Sequence, residues 1–361
     1  MRVHEGPVRR EGAATAVDVE IVDGFAASID AAAEAAEPRH RFLRAAWFAA
    51  IGQGRDACTL TARRPDGRVV AALPTLRIGP ALLRLREVPG CYWPYRSFPV
   101  AADATDEEIV ALLSNPASLR VLGRAWRLGP VYADDPTGVR LARLAERSGW
   151  TRIERRIATS FLLDIPALRR EGAWPRNSTL RKNRWFEKEL AKNGALEWRF
   201  VTGEAWTGLV FDELAAIEAK SWIPKKTEGR DAKFLAPHHR RIWEAAARDP
   251  ALASMLHAAI LTIGGRPAAF AFDLDVGSLR YAIANSYDQR FAKNSPGRVL
   301  AYRSLVGAMD RGIDRVDWGA GDSGYKSTLG AVPGPEIVDC LLVRSTMLGT
   351  VLRPLWRRSG R

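Results

Sequence analysis

The chain has 361 residues, 54 Lys and Arg against 41 Asp and Glu, and a formal net charge of +13. At roughly 150 residues per domain this length favours two domains, and the 47% apolar and 26% charged shares exclude wholesale disorder. Cys58, Cys91 and Cys340 lie far apart, which argues against a disulfide scaffold or a cysteine zinc site. No run of ~18 apolar residues exists to cross a membrane, and no hydrophobic signal core follows the charged residues 1–11, so a protein of the reducing cytoplasm is expected.

Residues 17–22 read as a strand and 39–51 as a helix, with Phe42, Ala46, Ala49 and Ala50 near helical spacing. Residues 58–63 and 68–76 are β runs joined at Pro65-Asp66-Gly67, and 82–88 form a third strand after Gly79-Pro80. Helices are expected at 106–113 and 137–148, and extended chain at 119–128 and 152–163. The polar stretch 166–175 breaks the pattern and marks a boundary. Helices at 205–222 and 237–248 then precede strands at 254–263, 267–274 and 279–286, which turn at Gly264-Gly265 and at Val276-Gly277-Ser278. A helix over 296–311 and a strand over 315–318 follow. Each half thus reads as helix, antiparallel meander, helix, strand. The shared element order points to two copies of one α/β unit, without a residue-level repeat.

At Ser295-Pro296-Gly297, serine suits an N-cap, proline the first helical position, and glycine leaves the backbone uncovered. Val299, Tyr302, Val306 and Met309 then share one face, as a buried helix requires, and Gly312 ends it. A helix start behind a strand, flanked by Lys293 and Arg298, suits an anion; the plain alternative is a well-capped helix with no ligand.

Downstream, Gly319-x-Gly321-x-x-Gly324 matches a dinucleotide fingerprint, but Gly330 and Pro333 interrupt the helix that should follow, and too little chain remains for a Rossmann half. Gly321-Asp322-Ser323-Gly324 has the look of a serine-protease nucleophile segment, yet the chain is not mostly β. What stands is a Gly-rich turn at a strand end that presents Asp322, Tyr325 and Lys326. Such a set can accept a proton, donate one and steady negative charge; an Asp–Lys pair tying down a loop is the other reading.

Taken together, Tyr287-Asp288, Ser295-Pro296-Gly297-x-x-Leu300, Gly312-Ile313 and Val316-Asp317-Trp318-Gly319-x-Gly321-Asp322-x-x-Tyr325-Lys326 resemble the CelD-type acetyltransferases of the GNAT superfamily. These are linked to bacterial cellulose and exopolysaccharide production and related to the Fem-type tandem-GNAT ligases. The resemblance is clearest over 175–330; Leu73-Pro74 and Tyr92-Trp93-Pro94-Tyr95 resemble the family's N-terminal half more loosely. It implies a tandem GNAT-like α/β fold, two units each with a mostly antiparallel mixed sheet flanked by helices. A unit without a cofactor motif would cover 1–165, an acyltransferase unit 166–345, and a basic tail 346–361.

It further implies an acyl-CoA donor, acetyl-CoA in the simplest case, consumed as a co-substrate, no metal, and transfer to an amine or hydroxyl of a small or glycan-related acceptor. The pyrophosphate would sit at Lys293, Asn294, Ser295, Gly297 and Arg298, although the usual Arg/Gln-x-x-Gly-x-Gly/Ala pattern is absent there. Asp322 would take the acceptor's proton, Tyr325 would protonate the leaving thiolate, and Lys326 would steady the oxyanion. Asp317, Trp222 and Lys220 would meet the acceptor.

Residues 177–193 read as a helix closed by Gly194, with Arg181, Arg184, Lys188 and Lys192 in an arc of ~80°. That face is solvated, or meets an anionic acceptor or cofactor tail, or binds tRNA, the donor of Fem-type relatives. His238-His239 lacks ligands at metal spacing and reads as structural. The arginines of 353–361 make a solubilising end or a contact with an anionic membrane or polymer. Rival readings are a Fem-like aminoacyl-tRNA-dependent transferase and a non-catalytic binding module on a decayed GNAT fold.

Overall fold

A computed structural model describes residues 17–52, 56–80, 84–90, 96–224, 232–321 and 325–358. The first half holds β1 (Asp18–Asp23), α1 (Ser28–Ala35), α2 (Ala45–Gly52), β2 (Ala57–Arg63), β3 (Val69–Ile78), β4 (Leu85–Glu87), α3 (Asp106–Ser114), α4 (Pro116–Leu122), β5 (Ala125–Tyr132), α5 (Pro136–Leu144) and β6 (Thr151–Asp164). The second holds α6 (Ile165–Arg170), α7 (Asn177–Ala191), β7 (Leu196–Val201), α8 (Gly208–Ala219), α9 (Pro237–Ala246), α10 (Pro250–Met255), β8 (Leu256–Ile263), β9 (Arg266–Val276), β10 (Leu279–Tyr287), α11 (Pro296–Asp310), β11 (Arg315–Ala320), the short α12 (Tyr325–Thr328), β12 (Val332–Val343) and α13 (Thr346–Arg358).

All twelve strands join one sheet in the order β1-β2-β3-β4-β5-β12-β6-β11-β10-β9-β8-β7. Exchanging each of the first six strands with the strand six places later returns the same order reversed, so the halves are related by an internal two-fold. The β4–β5 and β10–β11 pairs are both parallel. The sixth strands cross over: β12 pairs with β5, and β6 pairs with β11. Each half therefore has its sheet completed by the other. The expectation of two similar α/β units holds at the level of strands, with helices flanking the common sheet.

Local signals account for most boundaries. Thr105 and Glu108 form a reciprocal capping box on α3, with bonds of 3.2 and 2.7 Å. Gly67 and the Gly264-Gly265 pair have positive φ at their hairpin turns. At Gly194 a Cβ would stand 2.7 Å from the Gly264 Cα, so that glycine seats the end of α7 on the β8–β9 turn.

Four expectations fail. The extended chain expected at 119–128 is α4 followed by β5, because Asn115 caps with a 2.8 Å bond to the Ala117 N–H and Gly123 stops the helix at φ 68°. The helix expected at 39–51 is a 3-10 turn at Pro38–His40 and then α2. The basic end at 346–361 is helical over Thr346–Arg358 and packs on the sheet. Finally, Val299 is buried as expected but Val306 is 38% exposed, and α11 buries Leu300, Ser304, Leu305 and Ala308 as well. The expected strand at 82–88 shortens to β4; residues 81–83, like Cys91 and the aromatic run 92–95, lie outside the described residues.

The one buried polar side chain of α11, Ser304, meets an ion network. Arg280, 3% exposed, donates to Asp273 at 3.0 Å, to Asp275 at 2.6 and 2.7 Å, and to Ser304 Oγ at 2.7 Å. His257 Nε2 lies 3.3 Å from Asp275. Burial pushes Asp273 up to about 6 despite Arg280, and burial pushes His257 down to about 4 despite Asp275.

The two groups act in opposite senses. As pH falls from 6.5 towards 4, the unfolded chain protonates its His257 and the native one does not, which costs stability. Over nearly the same window native Asp273 takes up a proton that the unfolded chain does not, which adds stability. A His257→Gln variant should therefore become more stable relative to the parent between pH 6.5 and 4, by up to about 3 kcal/mol. Urea titrations across that range check it; parallel pH profiles would refute it.

Candidate functional site

The parallel strands β10 and β11 are paired only at Leu279–Arg315, Arg280–Val316 and Tyr281–Asp317. Past that point they part. The β10 register against β9 shifts between Ala282 and Ala284, a bulge at Ile283, and the β11 register against β6 shifts between Asp317 and Ala320. The result is a cleft with 282–287 on one wall and 318–320 on the other. Along it the two strands no longer pair with each other.

The start of α11 stands over the far end of β10. Asn285 Nδ2 donates to the Gly297 carbonyl at 3.2 Å, and a Cβ on Gly297 would meet Asn285 Oδ1 at 2.7 Å and Tyr287 Cδ1 at 2.9 Å. Gly297 is therefore required for close helix–strand packing, a different reason from the uncovered backbone expected of it. Ser295 occupies the cap position, but in the left-handed conformation (φ 45°, ψ 52°) and without a side-chain capping bond, so the helix amides are not covered by its hydroxyl. Lys293 lies in the last turn of a 3-10 segment, Gln289–Asn294, and is exposed. Arg298 Nε is buried with no hydrogen-bond partner among the described residues, an orphan donor next to the helix start. The main-chain N–H of Gln289 donates to the Lys220 carbonyl at 3.1 Å, which brings the end of α8 to this turn; Trp222 beyond it is 39% exposed.

Asp317 stands where β10 and β11 part. It is 4% exposed, accepts from Tyr132 Oη at 2.6 Å and from the Gly319 N–H at 2.6 Å, and burial raises its carboxyl above the ordinary value against those two bonds. Tyr132 comes from the first half and stacks on Tyr281, with ring centroids 6.2 Å apart. Beside this pair is a cavity of about 20 Å³, room for one water, bordered by Arg39, His40, Ser97 and Asp135. His40 Nε2 lies 2.7 Å from Asp135 Oδ1, and Ser97 Oγ donates to Asp135 Oδ2 at 2.9 Å. Burial opposes ionisation of Asp135, but His40 and these bonds hold it below its ordinary value.

A Tyr132→Phe variant removes the side-chain hydrogen bond from Tyr132 to Asp317. Its carboxyl should titrate at higher pH, seen in carbon NMR of the carboxylates, with a stability loss of about 1–3 kcal/mol. An unmoved Asp317 titration would show that the bond does not govern its ionisation.

The Gly-rich turn is only partly on view. Asp322 lies outside the described residues, and Tyr325 opens α12. Lys326 is 6% exposed and its Nζ donates to the Gly319 and Ala320 carbonyls, both at 3.0 Å. Those bonds tie down the end of β11. Tyr132, Tyr281, His40 and Asp135 were not singled out from sequence; only the Asp135-Pro136 helix start gave a local sign, while their meeting depends on long-range strand order. His239 Nδ1 lies 2.7 Å from the Ala232 carbonyl, a structural contact. Among the described residues no group of three or more His, Cys, Asp or Glu is placed to hold a metal ion.

Residues 176–327 match the family model described as an acetyltransferase (GNAT) domain. No curated protein sequence matches the chain significantly. Among solved structures, the chain is similar to the C-terminal domain of a putative lysylphosphatidylglycerol synthetase from Agrobacterium fabrum, at 13% identity and TM-score 0.52 over 92% of this chain and 95% of that one. It is also similar to L-PGS from Bacillus licheniformis (11%, TM-score 0.52, 92% and 95%) and to FemX (12%, TM-score 0.53, 83% and 91%). At these identities the likeness is one of fold. With the domain match in the second half and the internal two-fold extending it to the first, the fold is tandem GNAT-like, α/β throughout.

Proposed function

We propose that the protein is an acyltransferase that takes an acyl group, acetyl in the simplest case, from a coenzyme A thioester and moves it to an amine or hydroxyl of a small or glycan-related acceptor. The observation that carries this reading is the parting of β10 and β11 beyond Tyr281–Asp317, beneath the first turn of α11 and inside the stretch that matches the GNAT domain. The residues present fit the donor: the stretch of β10 beyond Tyr281, which no longer pairs with β11, an α11 start with no side-chain cap, and the orphaned Arg298 Nε. Lys293, Asn294, Ser295, Gly297 and Arg298 would hold its pyrophosphate. When bound, acyl-CoA supplies the activated acyl group.

The chain's own residues do the rest. In this reading Asp322 accepts the proton of the attacking amine or hydroxyl, Tyr325 protonates the departing thiolate, and Lys326 positions the turn that carries both. Asp317, with Tyr132 and Tyr281, forms the acceptor side, together with Lys220 and Trp222. Residues 1–165 form the unit without a donor site, 166–345 the transferring unit, and the protein acts in the cytoplasm. No described helix is long and apolar enough to cross a membrane. The motif resemblance to CelD-type enzymes favours a glycan-related acceptor.

Calorimetric titration with acetyl-CoA tests the donor: saturable one-site heat is expected, and its absence would overturn the proposal. A second reading, an aminoacyl-tRNA donor, is favoured by the outer face of α7, where Arg181, Arg184 and Lys188 are exposed beside Trp185, itself 53% exposed. It predicts salt-sensitive tRNA binding and no heat with acetyl-CoA.

A further inference from the structure

Helix α13 has two apolar faces. Leu352 and Trp356 pack inward on Ile153, Leu341 and Val343, and Trp356 Nε1 donates to the Asp339 carbonyl at 3.1 Å. Met347, Val351 and Leu355 point outward at i, i+4 and i+8, and are 79%, 59% and 59% exposed. The helix contains no acidic residue. Arg344 precedes it and Arg353, Arg357 and Arg358 lie within it; no ion pair ties these four to a carboxylate among the described residues.

The sheet end next to this helix is also cationic. A cavity of about 460 Å³ is lined by Arg77, Arg84, Arg86, Arg120 and Val121. Asp56 pairs with both Arg77 and Arg86, at 2.8 Å each. Arg84 is held at φ 45°, unusual for a residue with a Cβ. Leu85, between Arg84 and Arg86, packs in the same cluster as Leu352 and Trp356, and the Arg344 N–H donates to the Arg124 carbonyl at 3.0 Å. Cavity wall and helix are thus fastened to each other.

We propose that α13 docks the protein on a membrane surface carrying anionic headgroups. The Met347–Val351–Leu355 stripe enters the acyl boundary, and the flanking arginines, with the arginine cavity, take lipid phosphates. Three features select this occupant. A short apolar stripe binds a bilayer firmly only with a second, electrostatic signal, and the arginines supply it. A nucleic acid would use the arginines but leave the aliphatic stripe without a partner. A second copy docking isologously through this helix would bring the same unpaired arginines together, like charge on like charge.

The docking rests on no assumption about the acyl donor. It is tested on the full chain by co-sedimentation with vesicles of phosphatidylcholine alone and of phosphatidylcholine mixed with phosphatidylglycerol. Binding to the mixed vesicles is expected, weakening as salt rises. The Met347→Ser/Val351→Ser/Leu355→Ser variant should lower partitioning about tenfold or more, and Arg353→Glu/Arg357→Glu should lower it while leaving Leu352 and Trp356 packed. Thermal melting and acetyl-CoA titration should be unchanged in both; the single Val351→Asp variant serves if the triple one folds poorly. Failure to sediment with either vesicle, equal binding to both, or wild-type binding by the stripe variants overturns the proposal. So does a concentration-dependent dimer that the stripe variants abolish, which would assign the stripe to a second copy.

Discussion

Replacing Gly297 by valine is expected to reduce acetyl-CoA binding on the order of 100-fold, the scale seen when a positioned group moves by about 1 Å. Even a Cβ at that position collides with Asn285 Oδ1 at 2.7 Å and Tyr287 Cδ1 at 2.9 Å. Asn285 cannot swing aside without losing its bond to the Gly297 carbonyl. The first turn of α11 must then lift from β10, taking with it the helix amides and Arg298 proposed to hold the donor. Overpacking adds about 1–3 kcal/mol of destabilisation, separable by denaturation. A Gly297→Ala/Asn285→Gly double variant should bind better than Gly297→Ala alone, since the nearer of the two colliding atoms is gone. Undiminished binding by Gly297→Val would mean that the donor does not rest on this helix start.

Replacing Arg280 by methionine should cost about 3–5 kcal/mol of stability at neutral pH, the usual result of removing one partner from a buried ion network. The guanidinium holds Asp273, Asp275 and Ser304 together beneath α11, and without it two buried carboxylates face each other. The penalty should shrink on acidification: Asp273 is already raised to about 6 with Arg280 present, rises further without it, and a raised carboxyl adds stability as pH falls through its native value. Urea denaturation at pH 8 and pH 5 measures both. A loss equally large at the two pH values would show that packing, and not charge, is what Arg280 contributes.

Much of the second half was legible because its signals are local. Gly264-Gly265 marked a tight hairpin, the 177–193 periodicity marked α7, and Ser295-Pro296 marked the start of α11. β12 went unread because it opens Val332-Pro333-Gly334-Pro335, residues that signal a loop until pairing with β6 on one side and β5 on the other is supplied. β7 is an edge strand with an alternating, mostly exposed pattern and carries little apolar signal. At the site, the anion-suited helix start could be read from residue types. The Tyr132–Asp317 bond could not, since its partners are 185 residues apart and only strand order brings them together. The misjudged face of α11 has a similar cause: Ser304 is buried because Arg280 is beneath it, a fact of another strand.

The crossover of the sixth strands has a consequence for synthesis. Arg127 on β5 bonds Asp339 on β12 across 212 residues, so the slot beside β5 stays empty until nearly the whole chain has left the ribosome. During that interval the first half presents an unpaired strand edge, the kind of surface on which nascent chains aggregate. Pairings this distant in sequence form slowly. Refolding yield should therefore depend on chain concentration, and emergence of β12, not of the first half, should mark the moment when the molecule becomes protease resistant.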